Sequence, residues 1–194
     1  LNNIILSNYL SDEEVLHSKR VQKLALELST YMGYSAEDSI RIGILALYHD
    51  LGKSQVPSRI LTKKGKLTEM EFEVIKKHTL SSKKLLLKHD FPLDHADIVF
   101  HHHENVDGSG YPMGLEENEI PIESQIISIC DYVDARTSVR VYRDSVMTEL
   151  EMSKHLLELI DKKFRRDVSE TMISLLEENL NFNQSLLKTN EKCM

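Results

Sequence analysis

The chain holds two cysteines, no tryptophan, four prolines and seven glycines in 194 residues. Two thiols, Cys130 inside an apolar helical pattern and Cys193 in a polar tail, are too few for a disulfide framework, and neither has the neighbours of a thiolate metal site. A reducing cytoplasm is the expected compartment. No apolar run approaches the ~18 residues of a membrane-spanning helix, and no charged-then-apolar leader opens the chain. An excess of positive charge is missing too: 24 Lys and Arg stand against 31 Asp and Glu, a formal charge of −7. This speaks against general binding to DNA or RNA, which depends on a cationic surface that neutralises phosphates. The first residue is Leu1 rather than Met, which leaves room for an upstream regulatory domain.

What remains is mostly helical periodicity. Ser11 with Glu14 three residues later is a capping box, followed by Val15, Leu16, Val21, Leu24, Ala25 and Leu28 on one face and by Gly33 as a stop. Ser35 opens a second helix that runs into His49-Asp50-Leu51-Gly52, with Gly52 as its C′ residue. Thr68 with Glu71 opens a third, through Phe72, Ile75 and His78, and a break is expected around Leu80-Ser81-Ser82. Asp94 caps a segment leading to His101-His102-His103, and Pro121 begins a helix with Ile126, Ile127, Ile129, Cys130 and Val133. Two more helices fit Thr148 to about Phe164 and Asp167 to about Leu180. Strand patterns are nearly absent, so the expected fold is an all-α helical bundle. Residues 1–180 form its domain, and the Asn-rich 181–194 tail is expected to fray.

The nine histidines carry the chemistry. Imidazole and carboxylate from different helices make divalent metal sites, and the candidates are Glu13, His17, His49, Asp50, His78, His102, His103 and Asp131. Glu13 and His17, four apart on a capped helix, share a face. Asp131 lies in an otherwise apolar stretch, where an unpaired carboxylate is costly. Any one of these alone is more simply a core or surface residue; their order changes that.

His17, then His49-Asp50, then Asp131 is the H…HD…D order of the HD phosphohydrolase superfamily. More specifically, His49-Asp50-Leu51-Gly52-Lys53, His78, and His102-His103-Glu104-Asn105-Val106-Asp107-Gly108-Ser109-Gly110-Tyr111-Pro112 resemble the HD-GYP family of cyclic di-GMP phosphodiesterases, over about Glu13 to Arg143. The resemblance implies an HD-domain bundle with a metal site between helices. It makes His17, His49, Asp50, His78, His102, His103 and Asp131 the ligands, with Asp50 bridging and Glu13 serving members that hold a third ion. It implies two or three divalent ions, iron or manganese in the first place and zinc next. Lys53, Arg140 and Arg143 become phosphate contacts, with Lys53 and Asp50 in the catalytic step, and Tyr111 faces the substrate. Hydroxide generated by the ions attacks phosphorus, giving pGpG and, with further cleavage, GMP. The bound ions outweigh the three carboxylates, so an acidic chain still attracts an anionic dinucleotide locally. Glu104 and Asp107 fit better as loop-fixing groups than as ligands. A GGDEF-type synthase is an expected partner through the GYP loop. The chain departs from the family pattern at Ser124-Gln125, where an Ala-Arg pair is common. Two alternatives are another cyclic dinucleotide, such as cyclic GMP-AMP, and a non-catalytic sensor of the dinucleotide.

Overall fold

The computed structural model describes residues 6–138 and 146–191; Arg140 and Arg143 lie outside the described residues. The architecture is all-α. Nine α-helices are described: α1 (Asp12–Tyr31), α2 (Ala36–Tyr48), α3 (Ser58–Leu61), α4 (Glu69–Lys76), α5 (His78–Lys88), α6 (Leu93–Phe100), α7 (Ile122–Thr137), α8 (Glu149–Leu159) and α9 (Arg166–Glu191), with 3-10 turns at Leu51–Gln55 and Glu117–Glu119. Pairing outside helices, among the described residues, is limited to two isolated bridges, Asp107 with Glu116 and Ile160 with Phe164.

The helix starts follow their capping residues. Ser11 and Thr68 close full capping boxes with Glu14 and Glu71, and Thr148 does the same with Glu151. Each box satisfies two backbone N–H groups that a helix start leaves over. Behind these starts, α1 turns back through Gly33, at φ +86°, and packs along α2. Val21, Ala25 and Leu28 of α1 meet Ile42, Leu45 and Ala46 of α2 and Ile126, Ile127, Ile129 and Val133 of α7 in one buried core. Leu85 and Leu86 of α5, Ala96 and Val99 of α6, and Met152, Leu156, Phe164, Val168 and Met172 extend that core to either side.

Five boundaries differ from the sequence expectations; two are shifts, with α8 ending at Leu159 rather than near Phe164 and Pro92 rather than Asp94 standing at the N-cap of α6. The expected break at Leu80-Ser81-Ser82 is absent, because α5 runs unbroken from His78 to Lys88; the chain bends instead at Lys77, between α4 and α5. Ser82, a weak helix former, stays helical with its hydroxyl used twice: it donates to the His49 carbonyl at 2.8 Å and accepts from Gly52 N–H at 2.8 Å. Gly52 is not a left-handed C′ residue, since it is absent from the positive-φ positions. It is needed for close approach: a Cβ there would lie 2.1 Å from the His78 carbonyl oxygen and 2.4 Å from Ser82 N. Finally, α9 is described to Glu191 rather than ending near Leu180.

Both atoms crowding a Cβ at position 52 are backbone of α5, so Gly52→Ala forces α5 away from the 51–55 turn. The expected cost is about 3 kcal/mol, a fall of roughly 6–12 °C in melting temperature, measured by circular dichroism.

Candidate metal centre

The C-terminal ends of α2, α4 and α6 converge at one end of the bundle, and a histidine follows each. The last carbonyls of a helix have no partner within it. Here imidazole Nδ1–H groups take three of them: His49 donates to Ala46 O at 2.7 Å, His78 to Ile75 O at 2.7 Å and His102 to Val99 O at 2.6 Å. A carbonyl only accepts, so each bond fixes the proton on Nδ1 and leaves Nε2 as a lone-pair donor aimed at the centre. These three Nε2 atoms and Oδ1 of Asp50 are buried without a hydrogen-bond partner. Buried polar atoms are costly in that state, and several facing one another suit a cation that they coordinate.

Two donor groups form, each with ligand atoms within 4.8 Å of one another: Asp50 with His78, His102 and His103, and His17 with His49 and Asp50. Asp50 belongs to both. Its Oδ1 lies 3.3 Å from His78 Nε2, and its Oδ2 lies 3.2 Å from His49 Nε2 and 3.7 Å from His17 Nε2. Asp131 joins the second group from α7, with Oδ1 3.1 Å from His17 Nε2 and 3.8 Å from His49 Nε2. The chemistry of these donors, imidazoles and carboxylates facing one another, fits a divalent ion. Burial pushes the pKa of His78 down, that of His102 down to about 3 and that of His103 well below the usual histidine range. Burial also works against charge on Asp50, yet His49, Lys53 and His78 hold its pKa well below the ordinary carboxylate value. At His17 burial is outweighed by Asp131 and Asp134, and the pKa rises to about 9. That corner thus favours a cation, and a metal binding there displaces a proton.

Seven of the eight expected ligands come together; Glu13 does not join either group. It is exposed in the first turn of α1 and lines a cleft of about 600 Å³ with His17, Asp50, Lys53, Ser58 and Thr62. Of the three consecutive histidines, His102 and His103 turn inward and His101 caps α6. Because α6 ends at Phe100 and the chain then turns, neighbouring side chains escape the divergence a helix would impose, and the His102 and His103 rings lie 4.0 Å apart.

Lys53 rises from the 51–55 turn to place Nζ 2.5 Å from Asp50 Oδ2. Tyr111 packs on His103, ring centroids 4.8 Å apart, and its phenol pKa is raised by burial and by the Asp50 and Asp131 charges. Glu104 is buried and fixes the loop: its carboxylate accepts the N–H groups of Met113, Gly114 and Leu115 at 2.6, 3.0 and 3.0 Å. Asp107 does so locally, accepting from Ser109 N and Oγ. The departures Ser124 and Gln125 are both buried. Ser124 donates to Ile98 O at 2.7 Å, and the Gln125 amide donates to Glu104 O at 3.1 Å and accepts from Arg165 N at 3.3 Å.

Sequence reasoning assigned no role to Asp134 or Arg20. Asp134 accepts His17 Nδ1–H at 2.6 Å, and Arg20 donates to it through Nε at 2.6 Å and Nη2 at 3.1 Å. The signal was available: Asp131 and Asp134 are three apart on an apolar helix and therefore share a face.

A family model described as HD domain matches residues 4–166, and the chain belongs to that family. It is 38% identical over 176 residues to a cyclic di-GMP phosphodiesterase of Thermotoga maritima, covering 90% of this chain and 48% of that protein. It is 37% identical over 130 residues to the 3'3'-cGAMP-specific phosphodiesterase 1 of Vibrio cholerae serotype O1, covering 67% of this chain and 30% of that protein. The chain thus spans about half or less of the length of these relatives. In fold it resembles an HDG"Y"P protein from Bdellovibrio bacteriovorus, with a TM-score of 0.68 at 20% identity over 84% of this chain and 52% of that one. No helix among the described residues is long and apolar enough to cross a membrane.

Asp134→Ala removes the partner that orients His17 while leaving every candidate ligand in place. Metal affinity should fall roughly 10- to 100-fold, read by competition with a chromophoric chelator, with the helical circular dichroism spectrum retained.

Proposed function

We propose that this chain is the hydrolytic domain of a metal-dependent phosphodiesterase that opens cyclic di-GMP to pGpG and, where a third ion is held, continues to GMP. The observation that carries this reading is the pair of buried donor groups sharing the Asp50 carboxylate, beside a cleft open to a dinucleotide. The Thermotoga maritima relative supports the choice of cyclic di-GMP. His78, His102 and His103 would hold one ion and His17, His49 and Asp131 the other, with Asp50 common to both. Imidazole and carboxylate without thiolate suit iron, manganese or zinc. Glu13, on the cleft wall next to His17, is the group for a third. Bound divalent ions would supply Lewis acidity and hydroxide near neutral pH.

The remaining work falls to the chain. Asp50, ionised although buried, keeps the two halves of the site in register. Lys53 carries a positive charge at the cleft wall, in reach of a phosphate oxygen once the Asp50 carboxylate is shared with metal; a preorganised cation there stabilises charge that builds on the phosphoryl oxygens. Arg140 and Arg143 are proposed as further phosphate contacts. Glu104 ties the loop that carries Tyr111, so that the phenol ring stays against His103. The loop's exposed Met113 is the surface proposed to meet a GGDEF-type synthase. A second reading, hydrolysis of cyclic GMP-AMP, is favoured by the Vibrio cholerae relative, since the donor set selects a phosphodiester rather than a base.

The test loads the purified protein anaerobically with iron or manganese, counts metal per chain, and follows cyclic di-GMP and cyclic GMP-AMP in parallel by chromatography that resolves pGpG from GMP. Two or three ions with pGpG formed is the expected result, and Asp50→Ala should reduce turnover to background with the fold retained. Bound metal with both nucleotides intact would overturn the hydrolase reading in favour of a sensor.

A further inference from the structure

The short helix α4 does not contribute to the core: none of its residues is buried. Its one aromatic residue, Phe72, is 42% exposed, although helix starts of this strength elsewhere in the chain lead into buried faces. Phe72 has two ring-level contacts, Tyr111 and Lys76. Its centroid is 6.0 Å from that of Tyr111 in an edge-to-face arrangement at 83°. Lys76 Nζ, one turn along the same helix, stands 5.0 Å from the Phe72 centroid and 5.6 Å from that of Tyr111. Tyr111 in turn packs at 34° and 4.8 Å on His103, a member of the donor group around Asp50. A line of rings therefore leads from the buried imidazoles to a partly solvent-facing phenyl, with an ammonium beside its last two members.

An exposed phenyl that packs on no core residue would ordinarily be replaced at little cost by a polar side chain. Here it stands edge-to-face against Tyr111 and is flanked by the Lys76 ammonium, whose resting partner is Glu73 Oε1 at 2.7 Å, a pairing an incoming phosphate would share. Aromatic faces of this kind take up nucleobases, because every base has a π-face, and a neighbouring ammonium draws in the attached phosphate. The ring order His103, Tyr111, Phe72 sets the direction: a nucleotide with its phosphate over the imidazole groups would send its base outward past Tyr111. We infer that Phe72, set by Tyr111 and Lys76, is the stacking platform for one nucleobase of the dinucleotide and so a specificity-determining residue of the site. This rests on the hydrolase reading for the identity of the nucleotide but not for the stacking itself.

The consequence is a split between binding and chemistry. Phe72 touches none of the donor atoms, so Phe72→Ala should raise KM for cyclic di-GMP roughly 10- to 100-fold, the range expected for loss of one stacked base, with kcat within about twofold of wild type. Phe72→Tyr, which keeps the ring, should restore KM. The chain has no tryptophan, so Phe72→Trp provides a single indole whose fluorescence reports contact with a base. In stopped flow with the metal-loaded variant, cyclic di-GMP should quench it saturably before turnover. GMP should quench it more weakly, and ribose 5-phosphate should leave it unchanged.

An unchanged KM in a folded Phe72→Ala protein, or an indole indifferent to cyclic di-GMP, would overturn the platform even if wild-type protein turns over. Equal quenching by ribose 5-phosphate would overturn it as well, since the response would then come from phosphate alone. Base-dependent quenching in a protein that hydrolyses no cyclic dinucleotide would uphold the platform and sink the hydrolase reading.

Discussion

Everything at this site depends on the hydrogen bond from an imidazole Nδ1–H to the carbonyl three residues earlier, made three times, at His49, His78 and His102. Each bond solves two problems together. It gives a carbonyl at a helix end, which otherwise accepts only backbone N–H groups of the turn, a short side-chain donor, and it locks a ring in the tautomer and direction that present Nε2 inward. The partial negative charge of three helix C-termini is gathered at the same point, which lowers the cost of assembling cations there. The bundle's packing is thus inseparable from its chemistry: α2, α4 and α6 must end where they do, and any shift of one terminus would turn a ring away from its neighbours.

The centre is stiffened on its far side by a different device. His17 does not follow a helix end; it sits in the second turn of α1, where no free carbonyl is on offer. Its Nδ1–H goes instead to Asp134, which is itself held by Arg20 and Ser138. A charged acceptor replaces a backbone one, and the result is a histidine that favours positive charge while His78, His102 and His103 resist it. The two halves of the site therefore meet an incoming ion differently. One half offers neutral lone pairs, and the other releases a proton.

Much of this was legible in the sequence, for identifiable reasons. The caps at Ser11, Ser35, Thr68 and Thr148 announce their helices because each carries its own hydrogen-bond partner nearby. The ligands from His17 to Asp131 were legible through their order and through the long string from His102 to Pro112. What remained hidden depends on contacts between distant segments. Ser82 reads as a helix breaker until the 51–55 turn is laid against it, and Gly52 reads as a terminator until the backbone of α5 closes over it. Asp134 shares a face with Asp131 in the sequence, but its use as the His17 partner emerges only when α1 brings His17 and Arg20 across. Local propensity describes such residues correctly and misses their use, which only the tertiary arrangement supplies.

The segment after α8 has a consequence for how far the unit extends along the chain. The carbonyls of Lys162 and Lys163 accept the N–H groups of Asp107 and Val106, Lys163 Nζ donates to the Asn105 side chain, and Phe164 is buried in the core. The glycine-rich loop beside the imidazoles is thus moored by residues far downstream of the last histidine of the cluster. The span from His17 to Asp131 that contains the donors is therefore not self-sufficient: the loop's mooring lies at Lys162 and Lys163, and the core continues through Phe164 into Val168, Met172, Leu175 and Leu176 of α9. A cut before α8 would unmoor the glycine-rich loop and open the core at the same stroke.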